Sequence, residues 1–333
     1  MASSSASYGL GERPPRWVET ARSPVRFFAR RTLIRNLAGT GFKPRGPERA
    51  ELLARLQPLL ELLDDGRRID CGPDHQAAAR RSERYYWPPL LEPDVELHSA
   101  ADERTLLLLG GYDHVVFARI VRRLDGGDAL LKDLERRLEL LGGCAVDEDY
   151  GLLTSSPRRC GGGESLEIFL HLPAVTALRQ LDRLVQGAAE RGFWLLPAGA
   201  PGGAVFVVNN LCALGYAPGE LAERAEALAV ELEAAELTAR EELGRRGALW
   251  LEDRIGRSLG LPGRARRLEE TEAATTCAWL RLGRSLGLLE RPSWKALNTA
   301  LWALQPSLAA AEAQRTGMEP AVWRAELLAA IAP

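Results

Sequence analysis

From Pro218 onward no strand signal survives: Ala, Leu, Glu and Arg dominate, and apolar residues recur at helical spacing in Leu221, Leu228 and Leu232, in Leu251, Ile255 and Leu259, and in Leu297, Leu301 and Leu304. Before that point strand and helix signals mix without strict βαβ alternation. This asymmetry predicts an α+β chain, with an antiparallel sheet flanked by helices followed by an all-helical C-terminal part. Three regions are expected: residues 1–24 disordered or extended, a mixed domain over 25–217, and a helical domain over 218–333. Trp250, Trp279, Trp294, Trp302 and Trp323 are expected to pack internally in that helical part.

Within residues 1–46 only Arg30 to Leu37 has structural character. Pro47 suits a first helical turn, and Leu52, Leu53, Leu56, Leu59, Leu60 and Leu63 give that helix an apolar face, with Pro58 a kink point. Residues 66–101 read as a polar, proline-interrupted connector. Thr105 to Leu109 and His114 to Ile120 flank Gly110-Gly111-Tyr112-Asp113 as a hairpin. Leu124 to Leu141 and Pro173 to Arg191 read as helices. Phe193 to Leu196 and Ala204 to Val208 read as strands around the loop Pro197 to Gly203.

Asp147 to Gly163, closing on His171-Leu172-Pro173-Ala174, reads as a strand, a glycine-rich loop and a second strand. A loop rich in backbone N–H groups beside Arg158 and Arg159 can cradle an anion; an ordinary hairpin with an arginine-bearing tip is the plainer reading.

Net charge of -2 over 333 residues gives no field toward nucleic acid or anionic membrane. No stretch reaches the roughly 18 apolar residues of a membrane span, and the start lacks a signal-peptide pattern, so a cytoplasmic protein is expected. Five cysteines without a Cys-x-x-Cys pair argue against a disulfide framework and a zinc site, and free buried thiols are expected. His75, His98, His114 and His171 are too dispersed for a metal cluster or a hydrolytic triad.

Several segments, in order, resemble the bacterial protein-arginine kinases (McsB) of the ATP:guanido phosphotransferase, or phosphagen kinase, superfamily. Arg35-Asn36-Leu37 is similar to the end of a Ser-Arg-x-Arg-Leu-Ala-Arg-Asn-Leu motif, and Asp147-Glu148-x-x-Gly-x-Leu-Thr-x-x-Pro to the family's like segment. Asn210 to Gly215 resembles Ser-Asn-x-x-x-Leu-Gly, and Leu251-Glu252-Asp253-Arg254 with Ala296 to Pro306 resembles the helical C-terminal domain of the protein-arginine kinases.

The resemblance implies transfer of a phosphoryl group from Mg-ATP to a guanidinium, which requires cations around the phosphates and carboxylates that orient the guanidinium and take its proton. Residue by residue, this chain departs from that set. Arg30 matches an ATP-binding arginine, but Thr32 replaces the second and Val116 a third, with Arg119 a nearby substitute. Asp113 and His114 are kept, while Tyr112 stands at the catalytic carboxylate position. A tyrosine does not accept a proton at neutral pH without a large pKa shift. Ser156 replaces an active-site cysteine, and Ser165 a phosphate-binding arginine for which Arg158 and Arg159 are possible compensations. The loop from Pro197 to Gly203 carries no charge where the family brings its second glutamate. Pro320 and Ala321 replace two polar members of the family's phosphoarginine pocket and leave Arg324; a helix start at Pro320 is the plainer reading.

The expectation is therefore a pseudokinase with no catalytic residue. Its vestigial nucleotide site would comprise Arg30, Asp113, His114, Arg158, Arg159 and Ser165, with a vestigial phosphoarginine pocket at Arg324. The resemblance implies a homodimer and a protein partner: an active kinase paralogue, an activator or a Clp protease component. The alternatives are an active protein-arginine kinase with rearranged groups, and a nucleotide or phosphoarginine sensor.

Overall fold

A computed structural model describes residues 10–69, 75–86, 95–124 and 128–332. In chain order its elements are α1 (Arg16–Thr20), β1 (Arg26–Arg35), α2 (Gly46–Leu56), β2 (Arg67–Ile69), α3 (His75–Arg84), β3 (Glu96–Ser99), β4 (Thr105–Leu109), β5 (Val115–Val121), α4 (Ala129–Leu140), β6 (Val146–Asp147), β7 (Gly151–Leu152), β8 (Glu164–His171), α5 (Pro173–Ala177), α6 (Leu181–Glu190), β9 (Phe193–Pro197) and β10 (Val205–Asn210). Five helices follow: α7 (Glu220–Gly260), α8 (Glu270–Ser285), α9 (Trp294–Ala303), α10 (Pro306–Thr316) and α11 (Pro320–Ile331).

Eight strands form one antiparallel sheet in the order β2-β3-β4-β5-β1-β8-β10-β9. β8 lies inside the sheet and all eight of its residues are buried, including the polar Glu164, Ser165, Glu167 and His171, which need partners within the fold. One face packs with α1 and α8 to α11, around Phe28, Phe169, Leu297, Trp302 and Trp323. The other face meets α2 and α4 through Leu52, Phe117 and Leu134, and α5 to α7 through Ile168, Val175 and Leu228.

The α+β class and the helical C-terminal part are as the periodicity predicts. Differences arise where local rules were outweighed. The N-terminal stretch contains α1, which buries Trp17 and Val18 on the sheet. The expected connector over 66–101 holds β2, α3 and β3; residues 70–74 and 87–94 lie outside the described residues. The helix expected from Leu124 begins at Ala129, where the Asp128 side chain accepts from the Leu130 N–H and caps it. Pro173 to Arg191 is two helices, broken where Arg179 takes a φ of 57°. The α2 pattern passes into a 3₁₀ turn at Gln57, with Pro58 in its first turn. Trp302 and Trp323 are buried, whereas Trp250 is 43% exposed. Of the thiols, Cys277 is buried and Cys144, Cys160 and Cys212 are half-buried; Cys71 lies outside the described residues. Among the described residues no helix is long and apolar enough to cross a membrane, and no His, Cys, Asp and Glu group could hold a metal.

Candidate functional site

Strand register lines up one row of side chains across four strands. Trp194 on β9 lies opposite Asn209 on β10, Asn209 opposite Glu167 on β8, and Glu167 opposite Arg30 on β1. Arg158 and Arg159, from the 3₁₀ turn Pro157–Arg159, join this row at its β9 end. The Arg158 guanidinium lies 4.2 Å from the Trp194 ring centroid. Arg159 donates to the side-chain oxygens of Asn209 at 3.1 Å and Asn210 at 3.0 Å. Burial lowers the Arg159 pKa, with Glu167 opposing and Arg158 reinforcing the shift.

Arg30 is fully buried, and its guanidinium is engaged from several sides. Nε and Nη2 donate to the two Glu167 oxygens at 2.8 and 2.7 Å, while Nη1 and Nη2 donate to the carbonyls of Tyr85 and Tyr86 at 2.7 and 3.2 Å. This is the fork-to-fork pairing that a guanidinium makes with carboxylate or phosphate. Glu167 therefore takes up the donors that an incoming phosphate would need. In the next row Thr32 and Ser165 face each other with no charge, and the Thr32 hydroxyl finds no partner among the described residues. Ser165 accepts from the Asn209 amide at 3.2 Å.

Asp113, His114 and Tyr112 do not join this row. Arg35, not Arg30, lies near them, opposite Val115, and five residues of strand separate Arg30 from Arg35, on the order of 17 Å. Asp113 accepts from the Asn36 amide at 2.7 Å, the Ser155 N–H at 2.7 Å and the Ser155 hydroxyl at 2.6 Å. The His114 Nδ1 accepts from the Leu37 N–H at 2.9 Å, and its Nε2 lies 2.8 Å from the Gly41 carbonyl, which fixes a neutral ring protonated on Nε2. Both residues tie the chain after β1 to the β4–β5 turn. Tyr112 is exposed and accepts from the Lys43 ammonium at 2.6 Å.

The anion-cradle reading of the glycine loop also needs correction. The Gly161 N–H donates to the Leu152 carbonyl at 3.0 Å and the Gly162 N–H to that of Ala213 at 3.1 Å. Nor is the stretch a single hairpin, since β7 pairs with β6 while β8 pairs with β1 and β10. Ser156 precedes the 3₁₀ turn, and the Cys160 sulfur lies 3.9 Å from its carbonyl. Arg119, the substitute considered for Val116, is held on the opposite face by Asp128 at 2.8 Å and by the Thr105 hydroxyl.

Comparison with known proteins finds likenesses in sequence and in fold. Residues 248–330 match the family model described as the protein-arginine kinase McsB C-terminal domain. A protein-arginine kinase of Symbiobacterium thermophilum is 32% identical over 203 residues, 59% of this chain and 56% of that protein. That of Bacillus subtilis is 32% identical over 167 residues, 49% of this chain and 46% of that protein. The likeness to the protein-arginine kinases runs over a little more than half of the chain, and the family model matches within its C-terminal helices. The chain spans little more than half the length of the Symbiobacterium relative. Among solved structures, a duplicated taurocyamine kinase from Schistosoma mansoni with bound transition state analog components gives a TM-score of 0.54 at 16% identity, covering 77% of this chain and 39% of that one. A lombricine kinase gives 0.50 at 14% identity, covering 65% and 67%. These two likenesses show the fold.

Two segments in which this chain departs from the resemblance are held by the C-terminal helices. The loop between β9 and β10 lies against α8: a Cβ on Gly202, whose φ is +87°, would meet the Thr275 hydroxyl at 2.5 Å and the Thr271 carbonyl at 2.8 Å. Arg324 sits in α11, which starts at Pro320, and its Nε donates to the Leu268 carbonyl at 2.9 Å while Glu269 lies 3.9 Å away.

The residue that sequence reasoning missed is Glu167. The signal was a lone carboxylate inside the apolar run Leu166 to Leu170, a position that buries it and requires a cation on the neighbouring strand.

His171 ends β8 fully buried, and neither ring nitrogen has a partner among the described residues. Its pKa is held well below the ordinary histidine value, first by burial and then by the positive charges of Arg281 and Arg240. Burial also lowers that of His114. Below an unfolded-state pKa of about 6.5 the unfolded chain takes up protons that the folded chain refuses, so stability falls with pH by up to about 1.4 kcal/mol per pH unit for each histidine. Thermal unfolding between pH 7.5 and 5.5 checks this, and His171→Leu is expected to flatten the slope.

Proposed function

We propose that this chain is a non-catalytic binding module of the protein-arginine kinase family, a pseudokinase whose phosphate cradle is occupied by its own Glu167. The Arg30–Glu167 pair carries the reading. Phosphoryl transfer needs several cations free to meet developing phosphate charge and carboxylates free to handle the guanidinium. Here the matched cation is neutralised internally. Thr32, Ser165 and Val116 supply no charge, Tyr112 lies at the other end of the sheet, and the uncharged β9–β10 loop is fastened to α8. Such a protein acts through a protein partner, either an active paralogue, an activator or a Clp protease component, and as a homodimer. Exposed Leu249 and Trp250, just past a break in α7 at Gly247, offer apolar surface for such contacts.

A second reading, active phosphoryl transfer from Mg-ATP to protein arginine, is favoured by the name that the relatives carry and by Glu167 itself, a carboxylate within the row. In that reading Glu167 must leave Arg30 to accept a proton. Incubation with Mg-ATP and an arginine-rich protein, followed by measurement of acid-labile phosphate, separates the two. The pseudokinase reading expects none above background; accumulation of phosphoarginine would overturn it.

A further inference from the structure

Two cavities differ sharply in charge. One of about 630 Å³, over β1 between α4 and α7, sets Arg31, Arg35 and Lys132 against Asp128, Glu135, Glu164 and Glu223. The other, of about 550 Å³, lies where β1 begins and β5 ends, between α1 and α7. Its described lining carries five arginines, Arg22, Arg26, Arg104, Arg122 and Arg123, and one acid, Glu233.

Two of the five have partners. Arg26 donates to Glu226 at 2.7 Å and to Glu233 at 2.6 Å, and Arg123 lies 3.5 Å from Glu226. The guanidinium groups of Arg22, Arg104 and Arg122 have no carboxylate or hydrogen-bond partner among the described residues. Arg22 and Arg122 are exposed and Arg104 half-buried, so these donors remain hydrated and available. Buried Trp17 and Phe28 line the same cavity, and a register shift between Arg26 and Phe28 marks its edge of β1. Like charges gathered in one concavity repel each other and raise the local potential, and an anion relieves both.

We propose that this cavity binds a small phosphate-bearing polyanion through Arg22, Arg104 and Arg122. Each guanidinium is a planar fork matched to two phosphate oxygens, so three of them suit a ligand with two or more anionic groups better than a single carboxylate. The site is separate from the Arg30 row, and its occupancy does not depend on whether the chain turns over ATP.

Calorimetric titration of the full chain with inorganic pyrophosphate tests it, with inorganic phosphate as the weaker arm. Saturable one-to-one binding that weakens as salt rises is expected, with each of Arg22→Gln, Arg104→Gln and Arg122→Gln weakening it about tenfold. Arg254→Gln/Arg257→Gln, on the remote part of α7, leaves it unchanged. Absence of saturable binding, or binding that survives in the triple Arg22→Gln/Arg104→Gln/Arg122→Gln variant, would overturn the proposal.

Discussion

Glu167→Ala destabilises the protein by about 3–5 kcal/mol, the usual result of removing one partner from a buried ion pair. The pair qualifies on geometry: the Arg30 side chain is fully buried, that of Glu167 is 9% exposed, and the two nitrogen–oxygen bonds are 2.8 and 2.7 Å. Alanine would leave Nε without its acceptor and Nη2 with the Tyr86 carbonyl at 3.2 Å. Against a total stability of about 5–15 kcal/mol this is a large fraction. Replacing both residues with apolar ones, Arg30→Met/Glu167→Leu, should recover most of the loss, because no charge is then stranded. Denaturant unfolding of the two variants beside the parent measures both numbers. A loss under about 1 kcal/mol for Glu167→Ala would mean that Arg30 and Glu167 are solvated and separable.

The architecture was legible where the chain follows its own periodicity. Leu52, Leu56 and Leu59 mark one buried face, and Leu297, Leu301 and Leu304 another. The β4–β5 hairpin follows from Gly110-Gly111 between apolar runs. What was not legible depends on pairing between distant strands. Arg30 could be matched to a phosphate-binding position by its motif, but nothing local reveals that β8 brings Glu167 opposite it, 137 residues later. Asp113 and His114 could likewise be matched by motif. Their tasks, accepting from Ser155 and holding the chain near Gly41, emerge only from how the loops pack. The connector over 66–101 departs from its expectation because the polar α3 is followed by a turn at Tyr85 and Tyr86, whose backbone carbonyls complete the Arg30 cage, and a carbonyl has no sequence signature.

The remaining large expectation concerns nucleotide. An ATP phosphate chain needs more than one free guanidinium or lysine converging on it. In the row across β9, β10, β8 and β1, Arg30 is bound to Glu167, Arg159 is held by Asn209 and Asn210, and Arg158 rests on Trp194 at the exposed end. Displacing Glu167 would strand a carboxylate in a buried strand, at a cost of several kcal/mol that phosphate contacts would have to exceed. The most direct measurement is a calorimetric titration with Mg-ATP of the Arg22→Gln/Arg104→Gln/Arg122→Gln variant, in which the basic cavity no longer contributes. The expected result is no saturable heat; a saturable one-to-one isotherm would contradict the claim that Glu167 fills the phosphate cradle.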